Sequence, residues 1–341
     1  MATKRKRKRS KRLTKAQKAR RKRALGVGVT LVLGLLYALV GPQLRELAGL
    51  AGTPVPERED HFRVVSWNLA NFRGDPEDHD LDRIQAVVAE LDPDVLAVQE
   101  IKDPEALAAL LPEFELHISA KGGRGHQKLG VAWRRDRVEL IEAKEHAELS
   151  IGGRVRPALA AYLRARDGGP DLWVVVVHLK AMPDGVELRR QQWPMLAELA
   201  GTLTEGEPQI AAADTDLIVL GDFNSTGPRE AGRGGPAIEQ AEAAEVLAEA
   251  GLRRLTNETG CTAYYDGQRR DAWKEPSEID LVWARALDES LAADAQVHSG
   301  THCASERCAD VRSTEAYPLH DYAMVSDHCP VVVDLARADD D

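Results

Sequence analysis

The sequence begins with a stretch that lacks acidic residues and continues with one that lacks charge altogether. Residues 1–23 contain 14 Lys or Arg and no Asp or Glu, and the 18 residues 24–41 contain no charged side chain. At about 1.5 Å per residue, a helix of that length reaches about 27 Å, close to the thickness of a bilayer core. The sequence therefore predicts a basic cytoplasmic head at 1–23 and a transmembrane anchor at 24–44, with the rest of the chain on the far side of the membrane.

Two other interpretations of the N-terminal segment stay open. A signal peptide cleaved near the small residues of Gly49-Leu50-Ala51 would release a secreted protein. The run KRKRKRSKR is typical of nuclear-localisation or nucleic-acid-binding segments, although the adjoining apolar run disfavours that interpretation. An uncleaved anchor instead predicts a membrane-held body that is periplasmic or extracellular.

Cysteine is scarce, and all of it lies in the C-terminal third, at Cys261, Cys303, Cys308 and Cys329. An even number of cysteines in an exported domain permits disulfides. Cys303 and Cys308 would close a small loop and are the predicted pair, with Cys261–Cys329 as a second pair. The alternative is zinc, because His298 and His302 are close in sequence, but the spacing matches no familiar zinc pattern.

Beyond the N-terminus the chain shows neither a low-complexity tract nor an internal repeat, and its charge is strongly acidic. The whole chain carries −10 and the head +14, which leaves −24 on the other 318 residues. This acidity argues against a broad, permanent nucleic-acid-binding face. It does not exclude a nucleic-acid substrate, because a bound metal cation can supply local positive charge.

Residues 45–60 contain Gly and Pro with mixed charge and are predicted to be a linker. Residues 61–338 show no break that would mark a second domain. Strand patterns such as DLWVVVVH at 171–178 outnumber helical ones such as Leu81–Leu91, and the two types alternate. This order predicts one layered α/β or α+β sandwich.

The body lacks a P-loop, a serine nucleophile elbow and a GxGxxG fingerprint. It has instead a set of polar residues at the ends of apolar runs: Asn68, Glu100, His178, Asp222, Asn224, Asp280, Asp327 and His328. Each alone has an ordinary structural explanation, such as a turn, a helix cap or a satisfied core histidine. Together they offer the carboxylate and amide oxygens that Mg²⁺ prefers. They also offer donors for phosphate oxygens and groups that position a water, as phosphoryl chemistry requires.

Six motifs carry a resemblance to a known family: SWNLANF, VLAVQEI, VVVHLK, LGDFN, EIDLVW and SDHCPVVVDL, in this order within residues 62–337. The sequence resembles the endonuclease/exonuclease/phosphatase superfamily, the metal-dependent phosphoesterases typified by deoxyribonuclease I. The resemblance implies a four-layer αββα sandwich of the α+β class, with two packed mixed β-sheets and helices outside.

The resemblance also implies a metal site. Glu100 would be the main ligand of Mg²⁺, or of Mn²⁺, with Asn68 in the same shell. Asp327 would add a second metal contact, and a structural Ca²⁺ is compatible with the family.

Catalytic roles follow from the same resemblance. Asp222 would activate or orient the attacking water, and Asn224 would bind a phosphate oxygen or hold that water. His178 and His328 would donate to phosphate oxygens, and Asp280 would fix the tautomer of His328. The sequence departs from deoxyribonuclease I in one place: the region HQKLGVAW has no acid to pair with the first histidine. Abasic-site endonucleases carry a tyrosine where this chain has His178, which argues against that specialisation.

The resemblance most favours an exported, membrane-anchored nuclease that acts as a monomer on nucleic acid without a protein partner. Arg189 and Arg190 would contact phosphate, although they equally fit a solvated helix face. A sphingomyelinase, another phospholipid hydrolase or an inositol-polyphosphate hydrolase is the alternative. A membrane-tethered binding domain without activity is the second alternative, and it predicts gaps in the catalytic set.

Overall fold

The computed structural model describes residues 55–57, 61–205, 216–266, 271–287 and 297–337, all within one compact unit that spans Gly52–Asp341. The predicted head and anchor at 1–44 lie outside the described residues. In the ranges just given, no helix combines the length and the apolar character that a membrane crossing requires.

Two mixed six-stranded sheets dominate the described part of the chain. The first contains, in spatial order, β13 (Val297–Ser299), β15 (Val331–Ala336), β1 (His61–Asn68), β2 (Val95–Ile101), β4 (Lys128–Arg134) and β3 (Phe114–Ile118). The second contains β5 (Val138–His146), β6 (Ala158–Ala165), β7 (Asp171–His178), β8 (Leu217–Asp222), β12 (Asp280–Arg285) and β9 (Arg253–Arg254). In each sheet one central pair is parallel, β1 with β2 and β7 with β8, and the other pairs are antiparallel.

The two sheets pack face to face through alternate residues of their strands. From β7, Leu172, Val174 and Val176 point into the core between the sheets, while Trp173 and Val175 point to the opposite face. Both faces of this strand are buried, which explains why its sequence is an unbroken apolar run rather than an alternating one.

Helices cover the outer faces of both sheets. The helices are α1 (Leu81–Leu91), α2 (Pro104–Leu110), α3 (Val186–Thr204), α4 (Gly235–Ala248), α5 (Thr301–Glu306) and α6 (His320–Met324), with short 3₁₀ segments at Gly123–Gly125, Ala147–Ser150, Pro183–Gly185 and Arg229–Gly234. α1 begins after the N-cap Asp80 and packs Ile84 and Val88 against the first sheet. α3 and α4 pack against the second sheet. The predicted four-layer αββα sandwich with two mixed sheets is confirmed.

A third, three-stranded sheet of β10 (Ala263–Tyr265), β11 (Trp273–Ser277) and β14 (Val311–Arg312) lies beside two disulfides. The pairs are Cys261–Cys308 and Cys303–Cys329, with Cα–Cα distances of 5.7 and 6.1 Å. The predicted pairs Cys303–Cys308 and Cys261–Cys329 are therefore wrong.

The local backbone explains this pairing. Cys303 lies in α5, and the left-handed conformations of Arg307 and Cys308 turn the chain back after it. The Cys303 side chain consequently reaches Cys329 beside β15, while Cys308 reaches Cys261. Two disulfides indicate that the body is extracytoplasmic.

Candidate active site

The polar residues at the strand ends meet at one edge of the two sheets. In the second sheet, His178 pairs in register with Asp222, and Asp222 pairs with Asp280 on the neighbouring strand. In the first sheet, Asn68 ends β1 and Glu100 lies near the end of the adjacent parallel strand β2. The parallel strand pair of each sheet thus delivers its C-terminal polar residues to the same side.

Tight backbone geometry surrounds the LGDFN segment. Gly221 has φ +132°, and a Cβ there would lie 2.1 Å from the Val177 carbonyl oxygen, so only glycine fits. Asn224 and Glu100 have φ of 51° and 63°, which is uncommon for residues with a side chain. Strained backbone of this kind costs about 1–3 kcal/mol per residue and concentrates at functional sites.

Asp222 is the centre of the hydrogen-bond network. Its Oδ2 accepts from Asn68 Nδ2 at 3.1 Å and lies 3.2 Å from His178 Nε2. Its Oδ1 accepts from the backbone N–H of Asn224 at 2.8 Å. Three neighbours therefore fix the orientation of a fully buried carboxyl group.

His328 and Asp280 form a second buried pair. The distance from His328 Nδ1 to Asp280 Oδ2 is 2.8 Å, and His328 Nε2 lies 3.9 Å from Asp222 Oδ2. Trp67 donates from its indole to the His328 carbonyl, which positions the backbone of this residue. The predicted Asp280–His328 contact is present in the structure.

The three central titratable groups have strongly shifted pKa values. Burial raises the pKa of Asp222 to about 7, and the negative charges of Asp280 and Glu100 raise it further. The attraction of His328 lowers this pKa but offsets only part of the effect of burial. Burial opposes the charged form of His328, but the carboxylate of Asp280 outweighs it and raises that pKa well above the usual range. Burial, with Arg156 nearby, lowers the pKa of His178 well below the usual range. At neutral pH, His328 is therefore charged and His178 neutral.

His178 confirms the departure noticed in the sequence. Its Nδ1 is buried and has no hydrogen-bond partner among the described residues. Gln127, from the region without an acid, donates instead to Asn71 at 3.0 Å. His178 Nε2 faces two carboxylates, those of Asp222 at 3.2 Å and Glu100 at 3.8 Å.

One buried cation was missed by sequence reasoning. Arg156 donates through Nε to the His178 carbonyl at 3.1 Å and through Nη2 to the Leu179 carbonyl at 3.2 Å. Burial lowers its pKa, while attraction to Asp222 and Glu100 raises it. The signal that could have revealed Arg156 is its position directly before the apolar run that begins at Pro157.

A polar cleft of about 490 Å³ reaches this cluster at His328 and Glu100. Its wall includes Glu100, Asp327 and His328, together with Asn71 and Tyr322. Asp222, Asp280 and His328 each place a ligand atom within 4.8 Å of the others, so this buried group could hold a metal ion. Carboxylate-rich donor sets suit hard divalent cations.

Arg189 and Arg190 do not reach this cleft. Arg189 is fully buried, where its Nη2 donates to Glu239 Oε2 at 2.7 Å and its Nη1 donates to the Lys180 and Met182 carbonyls. Arg190 pairs with Glu242 and Glu187 on the helical layer. The predicted phosphate contact of Arg189 is therefore wrong, because this side chain is buried and holds the loop that follows His178. Arg190 lies in a surface ion-pair network, as the alternative of a solvated helix face expects, and its phosphate contact stays a prediction.

Comparison with known proteins places this site in a family. The model of the Endonuclease/Exonuclease/phosphatase family matches residues 65–328. A search of curated protein sequences gives no match.

Solved structures show the same fold. TDP2 of D. rerio, complexed with a single-strand DNA product, has 16% identity and a TM-score of 0.54 over 81% of this chain and 99% of its own. The human Nocturnin catalytic domain with bound sulfate has 18% sequence identity and a TM-score of 0.52, over 83% of this chain and 97% of its own. The mannosyl-6-phosphatase Bt3783 of Bacteroides thetaiotaomicron has 18% sequence identity and a TM-score of 0.55, over 81% of this chain and 99% of its own. The chain belongs to the Endonuclease/Exonuclease/phosphatase family.

Proposed function

We propose that the protein is a metal-dependent phosphodiester hydrolase that acts on nucleic acid from outside the cytoplasm, anchored by residues 24–44. The observation that carries this proposal is the buried cluster of an oriented carboxyl, Asp222, and the Asp280–His328 pair, which meets a polar cleft at His328. Family membership supports phosphoester hydrolysis in general. The two disulfides support an extracytoplasmic location.

Glu100 is the best placed residue to hold Mg²⁺ or Mn²⁺ at the cleft wall, with Asn68 and Asp327 nearby. Its carboxylate is directed to the cleft and lies 3.8 Å from His178 Nε2, beyond hydrogen-bond distance, so its oxygens remain available. A bound divalent cation would supply positive charge to a phosphoryl oxygen.

Asp222 is proposed to orient and deprotonate the attacking water. Contacts from Asn68, His178 and the Asn224 backbone fix this carboxyl. Its pKa of about 7 is well matched to accepting a proton near neutral pH. Asn224 lies beside it, where its side chain can hold a phosphate oxygen.

His328 is proposed to donate a charge-assisted hydrogen bond to a non-bridging phosphate oxygen. Asp280 keeps the proton on Nδ1 and the ring charged, so Nε2 is left to face the substrate. Arg156 adds a fixed positive charge behind His178. Since His178 is neutral and faces Asp222, its proposed role is to orient that carboxyl rather than to supply charge.

A nucleic-acid substrate is favoured because a solved structure of the same fold holds a single-strand DNA product. Phospholipids are the second candidate, since the predicted anchor would place the cleft near a membrane surface.

The assay is hydrolysis by the full-length protein with Mg²⁺ of plasmid DNA, RNA, bis-p-nitrophenyl phosphate, sphingomyelin vesicles and inositol polyphosphates. We expect cleavage of nucleic acid and of the simple diester. Hydrolysis of sphingomyelin or inositol phosphates without cleavage of nucleic acid would replace this proposal by its alternative.

A further inference from the structure

The loop between β3 and β4 is basic, although the body of the protein is acidic. From residue 116 to residue 135 the sequence contains no Asp or Glu. Lys121 and Arg124 are exposed in this loop, and Lys128 is partly exposed at the start of β4. Arg154, exposed in the segment before β6, carries a further positive charge.

Backbone contacts tie this loop to the segments that carry the candidate catalytic groups. Gly123 has φ +63° and lies so close to the neighbouring segment that a Cβ would be 2.8 Å from the carbonyl carbon of Val155. Val155 stands between the exposed Arg154 and the buried Arg156. The tip of the loop is therefore fixed next to the backbone that carries the active-site arginine.

Two side chains fix the other side of the loop. Lys102, two residues after Glu100, donates from Nζ to the Gly125 carbonyl. Gln127 donates to Asn71, which lines the cleft together with Glu100 and His328. The loop consequently lies beside the wall of the cleft that Asn71 forms, rather than at a distant part of the surface.

Neighbouring carboxylates do not neutralise the positive charges of Lys121, Arg124, Lys128 and Arg154, which together form what we call the basic rim. Across the described ranges, Lys121, Arg124, Lys128 and Arg154 form no ion pair. Many other arginines do, such as Arg137 with Asp92 at 2.7 Å and Arg164 with Asp171 at 2.7 Å. Among the described residues, the carboxylate of Glu145 accepts from the backbone N–H of Lys121 at 3.2 Å, and no carboxylate pairs with the four cationic side chains. The four side chains therefore form a positively charged group.

We propose that this basic rim, defined as Lys121, Arg124, Lys128 and Arg154, binds the phosphates that flank the scissile one in a polynucleotide. The inference rests on the proposed phosphodiesterase function and specifies its substrate as a chain of several phosphates. A mononucleotide or a simple diester carries no flanking phosphates and would not use the rim. For a single strand, each phosphate contact contributes about −0.7 to the slope of log K against log salt concentration.

The test compares two double variants that remove the same charge. Arg124→Gln/Arg154→Gln removes two charges from the rim. The matched control, Arg135→Gln/Arg166→Gln, removes two exposed charges at the far ends of β4 and β6. All proteins are full length, so that the basic head at 1–23 contributes equally to each.

Binding of a fluorescent single-stranded 12-mer is measured by anisotropy in EDTA at several KCl concentrations, and cleavage is measured with Mg²⁺. For the rim variant we expect the slope of log K against log salt concentration to become less negative by about 1.4, which corresponds to the loss of two phosphate contacts. KM for the 12-mer should rise several-fold with kcat unchanged, and hydrolysis of bis-p-nitrophenyl phosphate should not change. The control variant should match the wild type in every assay.

Three results would overturn the inference. The first is equal behaviour of the rim and control variants in the anisotropy titration. The second is loss of sphingomyelin-vesicle hydrolysis with retained oligonucleotide binding, which would make the rim a lipid-headgroup site. If the wild type hydrolyses the simple diester but does not bind the 12-mer, the rim proposal fails and phosphodiester hydrolysis stands. If no diester is hydrolysed, the proposed function fails, while the anisotropy titration still decides the rim.

Discussion

Replacing Asp280 by Asn removes the charge that faces His328 while preserving the shape of the side chain. The two groups lie 2.8 Å apart and both are buried, so the carboxylate is the main reason that His328 is charged at neutral pH. His328→Ala removes the donor altogether and should lower kcat about 10²–10⁴-fold, the range for a positioned acid–base group. Asp280→Asn should lower kcat by a smaller factor, because the imidazole ring of His328 remains but its positive charge is no longer stabilised.

The pH dependence follows from the same pair. The folded-state pKa of His328 lies above its unfolded value, so the pair stabilises the fold fully below about pH 6.5 and loses this contribution as pH rises through the folded-state pKa. Asp280→Asn should therefore destabilise the protein more at pH 6 than at pH 10. The alkaline limb of its activity profile should move to lower pH.

The assay is hydrolysis of bis-p-nitrophenyl phosphate by the wild type, both single variants and the double variant. Circular dichroism checks folding, and Asp136→Asn, an exposed carboxylate after β4, is the control. Because the two residues act as one unit, the double variant should be scarcely slower than His328→Ala alone. Fully multiplicative losses would refute the claim that Asp280 acts through His328.

Three further predictions concern stability and location. Burial raises the Asp222 pKa to about 7, so the cost of ionising this carboxyl in the folded state grows as pH rises from about 3.9, its unfolded value, to about 7, and is constant above that. Asp222→Asn should therefore raise Tm relative to the wild type more at pH 8 than at pH 5 in EDTA, and an equal difference at both pH values would contradict this. Mass spectrometry of unreduced protein should find the two disulfides in the observed pairing, and their joint reduction should cost several kcal/mol in urea unfolding, about 2–5 for each bond. The intact chain should sediment with membranes, and its recovery in the soluble fraction would contradict the anchor at 24–44.

Much of the fold followed from local patterns. The apolar face of α1 and the valine run of β7 each gave a correct element, because hydrophobic periodicity reflects burial directly. The three-stranded sheet was missed, since β10 and β14 are only three and two residues long and their pairing depends on distant partners. The disulfide pairing was wrong for a similar reason: proximity in sequence does not determine which side chains point towards each other.

The candidate site was predicted in part. The strand-end residues gather at one edge because parallel neighbours end together, which is a property of topology that the family resemblance supplied. The shifted pKa values of Asp222 and His328 depend on burial and on charges that are distant in sequence, such as Glu100 and His328 for Asp222, so the sequence could not give them. For Arg189, a helical pattern could not distinguish a surface cation from one paired with Glu239 in the interior.

The most direct test of the central claim is a metal titration of Glu100→Gln. Removal of one carboxylate charge at nearly constant volume should leave the fold intact while removing the best placed cation ligand. Hydrolysis of bis-p-nitrophenyl phosphate is followed against Mg²⁺ and Mn²⁺ concentration for the wild type, for Glu100→Gln and for the control Glu139→Gln, an exposed residue of β5. The account predicts that Glu100→Gln loses most activity and needs much more metal, while Glu139→Gln matches the wild type. Unchanged metal dependence in Glu100→Gln would contradict the proposed metal site.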